Sequence, residues 1–234
     1  YGTPIYVNQP VIFQHRVAVG DWKGGVMRTP PTHWTTYNHR NEVGSYLRTF
    51  EVPAEWDGRE VFITFDGVDS FFYLWINGQY VGFSKNSRNA AEFNITQYLQ
   101  EGENTVAVEV YRSSDGSFLE AQDMFRLPGI FRTVALHSRP QVRVRDLVVK
   151  PDLDADYRNG MLNITAELTN ASKKNVKGLQ MRYSLYRHEL YDDNNTLAAT
   201  YSINRTADLA KLGGKGVLSA SFSVSEPNLW TAEA

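Results

Sequence analysis

The chain has 234 residues, 42% of them apolar, and its 24 Lys and Arg nearly balance 26 Asp and Glu, for a formal net charge of −2. A balance this even gives no reason to expect nucleic acid, a polyanionic partner or an acidic membrane surface, and no apolar run approaches the ~18–20 residues of a membrane-spanning helix. The absence of cysteine excludes disulfides, thiolate zinc sites and a cysteine nucleophile, but leaves the compartment open.

Residues 20–44, which hold Pro30-Pro31, Trp22, Trp34, His33 and His39, have no defensible period; unstructured stretches this long are uncommon unless functional. Strands are expected at Arg59–Asp66 and Phe71–Ile76, rich in aromatic and β-branched residues. Asn77-Gly78 then supplies the positive-φ pair of a tight turn, so Gln79–Phe83 closes a hairpin. Glu101 to Asn104 reads as a turn before an alternating strand at Thr105–Tyr111, and Ile130–Leu136 reads as another strand. Near Ser138-Arg139-Pro140 the aromatic density falls, which places a boundary between residues 1–138 and 139–234. Beyond it, strands are expected at Val142–Val149, Leu162–Leu168, Leu179–Tyr186, Leu197–Ile203 and Val217–Val224. The fold class is therefore all-β, a jelly-roll-type sandwich followed by an immunoglobulin-like sandwich held by packing alone.

Chemistry is sparse by motif. No phosphate loop, nucleophile elbow or His-x-x-x-His pair is present, and His15, His33, His39, His137 and His188 are each expected to be structural or exposed. The richest stretch runs from Ser113 to Arg126 and holds Asp115, Glu120 and Asp123. Loop carboxylates can accept hydroxyl hydrogen bonds or bind a hard cation; equally, they can pair with Arg126 and Arg132. Asp66-Gly67-Val68-Asp69-Ser70 reads either as a simple turn or as a second acceptor loop. A glycosidase needs paired carboxyls roughly 5–10 Å apart, and any two of Asp69, Glu92, Glu120 and Asp123 are open to that role on sequence grounds. The pattern Asn-x-Ser/Thr recurs at Asn94, Asn163, Asn170, Asn194 and Asn204 and carries little weight.

One resemblance sharpens this. Ser45 to Phe50, Phe65 to Ser70, Tyr73 to Gly78, Ser87-Arg88, Ala91 to Phe93, Gly102 to Asn104, and Ser114 to Arg132 appear in the order found in the amino-terminal sugar-binding domain of glycoside hydrolase family 2, as in its large β-galactosidases. Tyr1 to Tyr6 resembles the family segment that enters the same loop region, and Pro227 to Glu233 resembles the close of the immunoglobulin-like domain that follows. The resemblance implies a jelly-roll sugar-binding domain over residues 1–138, lacking its first strands, and an immunoglobulin-like domain over 139–234, truncated at its end. It further implies that the catalytic glutamates and magnesium ligands lie on a (β/α)8 barrel beyond this chain. The chain alone is then expected to hold no catalytic residue and to be inert.

By the same resemblance, Asp69 matches a position that contacts substrate hydroxyls. Asp123 matches a sodium ligand that also helps hold the galactose 6-hydroxyl, with sodium and magnesium expected for the parent enzyme rather than for the fragment. Ala121, Phe125 and Pro128 stand where Asp, Trp and Ser are more usual, which bears on sugar specificity. Glu120 and Arg126 are expected to be loop scaffolding. The expected partners are a galactoside and the catalytic barrel, with no nucleic acid and no membrane, and with an oligomer open in the parent; bacterial cytoplasm and periplasm both fit. The family also contains β-glucuronidases and β-mannosidases. An independent carbohydrate-binding module is a further reading, supported by the stock of Trp22, Trp34, Trp56, Trp75, Phe71, Phe72 and Tyr73, although Trp75 and its strand neighbours are expected to pack in the core.

Overall fold

The computed structural model describes residues 5–6, 43–118, 120, 125–126, 128–186, 199–227 and 229. The chain divides into two compact units, Tyr1–Arg139 and Pro140–Ala234. Among the described residues the regular structure is strand, joined by short 3-10 turns such as Ala54–Trp56 and Thr96–Tyr98.

In the first unit, β2 (Val43–Glu51), β8 (Glu103–Tyr111), β5 (Phe71–Ile76) and β6 (Gln79–Ser84) form a four-stranded antiparallel sheet in the order β2-β8-β5-β6. Facing it is a three-stranded sheet, β11 (Val134–Arg139), β3 (Glu60–Phe65) and β7 (Ala91–Asn94), in the order β11-β3-β7. Alternate residues of each strand turn inward, so Val61, Ile63 and Phe65 of β3 meet Phe72, Leu74 and Ile76 of β5 and Val108 and Val110 of β8 in one core. Each such fully buried side chain contributes about 1.5–3 kcal/mol relative to exposure. Among the described residues β2 and β11 are outer strands, and between them lies a groove of about 770 Å³ that reaches Tyr46, Phe50, Phe65 and Leu136.

The Asn77-Gly78 turn forms as its residues dictate, with φ of 49° and 76°. Asn77 also has a second task. Its Nδ2 donates to the Tyr98 carbonyl (2.9 Å) and to Asn104 Oδ1 (2.8 Å), while its Oδ1 accepts the Thr105 N–H (2.8 Å). Asn104, expected in a turn, lies instead inside β8, where a fully buried amide accepts the Gln100 N–H and donates to the carbonyls of Gln100 and Gly102.

Two strand expectations change. Ile130–Leu136 is split into β10 (Gly129–Ile130) and β11, because Phe131 and Thr133 turn their backbone bonds toward Gly67 and Asp66. Trp75 is not core: β5 buries Phe72, Leu74 and Ile76, and its other face carries Phe71, Tyr73 and Trp75 outward.

The second unit pairs β12 (Val142–Leu153), β13 (Gly160–Asn170) and β16 (Gly214–Val224) in the order β12-β13-β16, and β14 (Val176–Tyr186) with β15 (Ala199–Leu209). Ala166, Leu168, Tyr183, Leu209, Leu218, Ala220 and Phe222 form its core. The Tyr183 hydroxyl donates to the Leu218 carbonyl at 2.9 Å, tying β14 to β16 across that core, and burial pushes the phenol above its ordinary pKa. Asn170, within one of the Asn-x-Ser patterns, is fully buried with its Nδ2 donating to Lys174 and Ala210 carbonyls, so the folded chain cannot present it for modification. The architecture is all-β, a jelly-roll-type sandwich followed by an immunoglobulin-like one.

Candidate functional site

Asp69 ends β4 (Val68–Asp69), a strand of only two residues. Asp66 and Gly67 lead into it, a composition that favours a turn; what makes it a strand is a partner some sixty residues away. Asp69 stands opposite Gly129, Val68 opposite Ile130, and an additional bridge joins Asp69 to Pro128. The neighbours tighten the arrangement: the Asp66 N–H donates to the Thr133 carbonyl (3.0 Å), the Phe131 N–H to the Gly67 carbonyl (3.2 Å), and the Ser70 N–H to the Tyr111 carbonyl at the end of β8 (3.2 Å). Asp69 is thereby nearly buried, at 8% exposure, beside a fully buried Ser70.

The loop after β8 is anchored to the same end. Glu120 accepts the Ser87 N–H through Oε1 (2.9 Å) and the Ser87 hydroxyl through Oε2 (2.5 Å). Lys85 donates to Asp115 at 2.8 Å, and that hydrogen bond is the leading reason the Asp115 carboxyl sits below its ordinary pKa. The 3-10 turn Asp115–Phe118 follows, with Ser117 Oγ accepting the Ser114 N–H. The guanidinium groups of Arg88 and Arg132 lie over the Phe131 ring, 5.1 and 5.5 Å from its centroid. Segments 66–70 and 128–133 thus meet at Gly67, and 85–88 joins them to Asp115 and Glu120 through Arg88, Lys85 and Ser87. Gly67 has no side chain because none would fit: a Cβ would stand 2.7 Å from the Phe131 ring and 3.0 Å from Arg132 Cδ.

That contact yields a testable consequence. Gly67→Ala should displace Phe131 and lower stability by roughly 1–3 kcal/mol, as overpacking does. Phe131→Leu should recover part of the loss in the double variant, measured as coupling in denaturant unfolding. Equal and additive losses would show that the two residues do not meet.

The expected site residues therefore fare differently. Asp69 is nearly buried, on a strand whose backbone pairs with Pro128 to Ile130. Asp123 lies outside the described residues, as do His15, His33, His39 and His188. Glu120 is bound by Ser87, and the side chain of Arg126 is outside the description, although its backbone in β9 (Phe125–Arg126) pairs with β1 (Ile5–Tyr6). Glu92 is elsewhere, on β7, gripped by Arg139 through both oxygens and by His137 at 3.1 Å. Among the described residues no group of three or more His, Asp or Glu converges as a metal site. Arg88 and Phe131 were not singled out by chemistry in the sequence; their signal was membership of the Ser87-Arg88 and Gly129-Ile130-Phe131-Arg132 runs.

Chemically, the assembly offers a fixed carboxylate with guanidinium donors and an aromatic ring on neighbouring segments, which suits a ligand rich in hydroxyls. The chain is similar to known proteins. Residues 26–140 match the family described as "Glycosyl hydrolases family 2, sugar binding domain". A β-galactosidase of Priestia megaterium (strain DSM 319 / IMG 1521) is 42% identical over 205 residues, covering 88% of this chain and 19% of its own length. A β-galactosidase of Halalkalibacterium halodurans is 38% identical over 233 residues, covering 100% of this chain and 20% of its own. In structure, the chain is similar in fold to a Bacteroides uniformis β-glucuronidase 2, with a TM-score of 0.69 and 24% identity over 82% of this chain and 23% of that one. The chain thus spans about a fifth of the length of these relatives. Through its sugar-binding domain at residues 26–140, the chain belongs to glycosyl hydrolase family 2.

Proposed function

We propose that the chain is the leading, non-catalytic part of a retaining β-galactosidase acting on terminal β-D-galactosides. In this reading its loops complete the rim of an active site whose acid/base and nucleophile reside on a barrel elsewhere in the protein. The observation that carries it is the 42% identity to a β-galactosidase over 88% of the chain. Asp69 would accept hydrogen bonds from substrate hydroxyls, and its near-complete burial favours this role, because a carboxylate fixed by the backbone loses little freedom on binding. Asp123 would lend a carboxylate oxygen to the galactose 6-hydroxyl and to sodium, a hard cation suited to oxygen donors. Magnesium would belong to the barrel.

The β-glucuronidase likeness, at 24% identity, speaks to fold and not to substrate. In the longer protein containing this chain, cleavage of p-nitrophenyl β-D-galactoside should exceed that of the β-D-glucuronide and β-D-mannoside by orders of magnitude. The 234-residue chain by itself should cleave none of them. Preference for the glucuronide or mannoside, or hydrolysis by the chain alone, would overturn the reading.

A further inference from the structure

An antiparallel sheet with one face on a core normally presents a polar face to water. The sheet β2-β8-β5-β6 does not. Phe71, Tyr73 and Trp75 project outward from β5, so this strand is apolar on both sides. Register adds Tyr111 opposite Phe71, Phe83 opposite Tyr73, and Tyr80 opposite Trp75. The rings support one another: Phe71 stacks on Phe83 at 5.6 Å and 30°, Phe71 meets Tyr73 edge-on at 4.7 Å, and Tyr73 contacts Trp75 at 5.8 Å and Tyr111 at 5.9 Å. Trp75 in turn contacts Tyr80 at 6.0 Å. Tyr80 and Phe83 remain 51% and 52% exposed, so the array is open to solvent.

Its chemistry selects the occupant. Among the described residues, the outward positions of these strands carry no lysine or arginine, which disfavours phosphate or any other polyanion. The central charge is Glu109, opposite Tyr73 and hydrogen-bonded to Tyr111. Rings for stacking, tyrosine hydroxyls and one carboxylate acceptor match the apolar ring faces and hydroxyl donors of an uncharged sugar. Size argues against a second copy of the chain. Three strands at their usual spacing and three outward rows span about 15 Å by 15 Å, on the order of 200 Å², whereas a stable interface between separate proteins takes about 800 Å² from each partner.

We propose that the outer face of β5, β6 and β8 is a stacking platform for a neutral β-linked glycan chain. The test is affinity electrophoresis of the 234-residue chain in native gels cast with β-1,4-galactan, with hydroxyethyl cellulose, and with heparin as the anionic control. Retardation in a neutral gel, weakened about tenfold in apparent affinity by Tyr80→Ser or Phe83→Ser, is expected. Both residues are half-exposed, and circular dichroism will report whether each variant folds. Leu212→Ser, in an exposed turn of the second unit, should bind like the parent sequence. A second readout does not depend on those variants: cellotetraose should shift tryptophan emission, and the shift should disappear in Trp75→Phe, which keeps an aromatic ring in place. No retardation in either neutral gel, equal retardation by the Tyr80 and Phe83 variants, or stronger retardation by heparin would overturn the proposal. So would a dimer in sedimentation that Tyr80→Ser dissociates, which would assign the face to a second copy, or tryptophan emission in the longer protein that no glycan shifts while the 234-residue chain responds, which would assign it to packing against the rest of the protein.

Discussion

Replacing Asn104 with alanine is expected to lower the stability of the first sandwich by about 3 kcal/mol, which for a unit of this size shifts its melting temperature down by roughly 10 °C. The amide is fully buried and serves both as acceptor and donor, taking hydrogen bonds from Asn77 Nδ2 (2.8 Å) and the Gln100 N–H (2.9 Å) and giving them to the Gln100 and Gly102 carbonyls (3.0 and 2.9 Å). Removal leaves each of those groups short of a partner, and an unsatisfied buried polar group costs about 1–3 kcal/mol. Relaxation and water entry will return part of the sum, hence a figure below the simple total. The damage should spread to the Asn77-Gly78 hairpin, because Asn77 shares the network with Thr105 and Tyr98. Asn104→Asp should be less harmful at the acceptor bonds and harmful at the donor ones. Urea unfolding followed by circular dichroism measures both; a loss under about 0.5 kcal/mol for the alanine variant would place it with ordinary surface substitutions.

The way this network arises also shows what sequence can and cannot convey. Asn77-Gly78 was legible because its conformation is local: positive φ at both residues is a property of those side chains. Asn104 read as turn material for the same local reason, and only its partners at Asn77 and Gln100 make it a buried strand residue. The β5 strand was legible as a strand but not in its orientation, since Phe71 to Ile76 is apolar at every position and alternation cannot say which half faces inward. Strand β2 was not legible as a strand, because Arg48 and Thr49 interrupt its apolar residues. For the candidate site, resemblance pointed to Asp69 and Asp123. The physical reason Asp69 is fixed, pairing with Gly129 and Pro128, is a long-range fact that no local rule supplies.

Substitution of Asp69 carries the second large expected effect. In the proposed enzyme, Asp69→Ala should reduce kcat/KM for a β-D-galactoside about a hundredfold, since it removes a charged acceptor whose hydrogen bonds are each worth roughly 1.5–3 kcal/mol. Asp69→Asn keeps the shape and one oxygen acceptor and should retain more activity than alanine. A purely structural role predicts another pattern. Asp69 is nearly buried on a two-residue strand, so folding and catalysis are read on the same samples: a substrate-contacting role predicts a loss of catalytic efficiency well beyond any loss of folded protein. If the loss instead tracked unfolding, the residue would be scaffold. The parent galactoside and a 6-deoxy analogue can separate Asp69 from Asp123: Asp69→Ala should penalise both substrates alike, whereas Asp123→Ala should matter most for the substrate that bears the 6-hydroxyl.

Whether Asp69 belongs to a galactoside site completed by this sandwich is decided by steady-state kinetics of the proposed longer enzyme and its Asp69→Ala and Asp69→Asn variants on o-nitrophenyl β-D-galactoside, with melting temperatures recorded on the same samples. A drop in kcat/KM of about a hundredfold is expected for alanine and a smaller one for asparagine, beyond any loss of folded protein. Kinetics equal to the parent's in the folded alanine variant would contradict it.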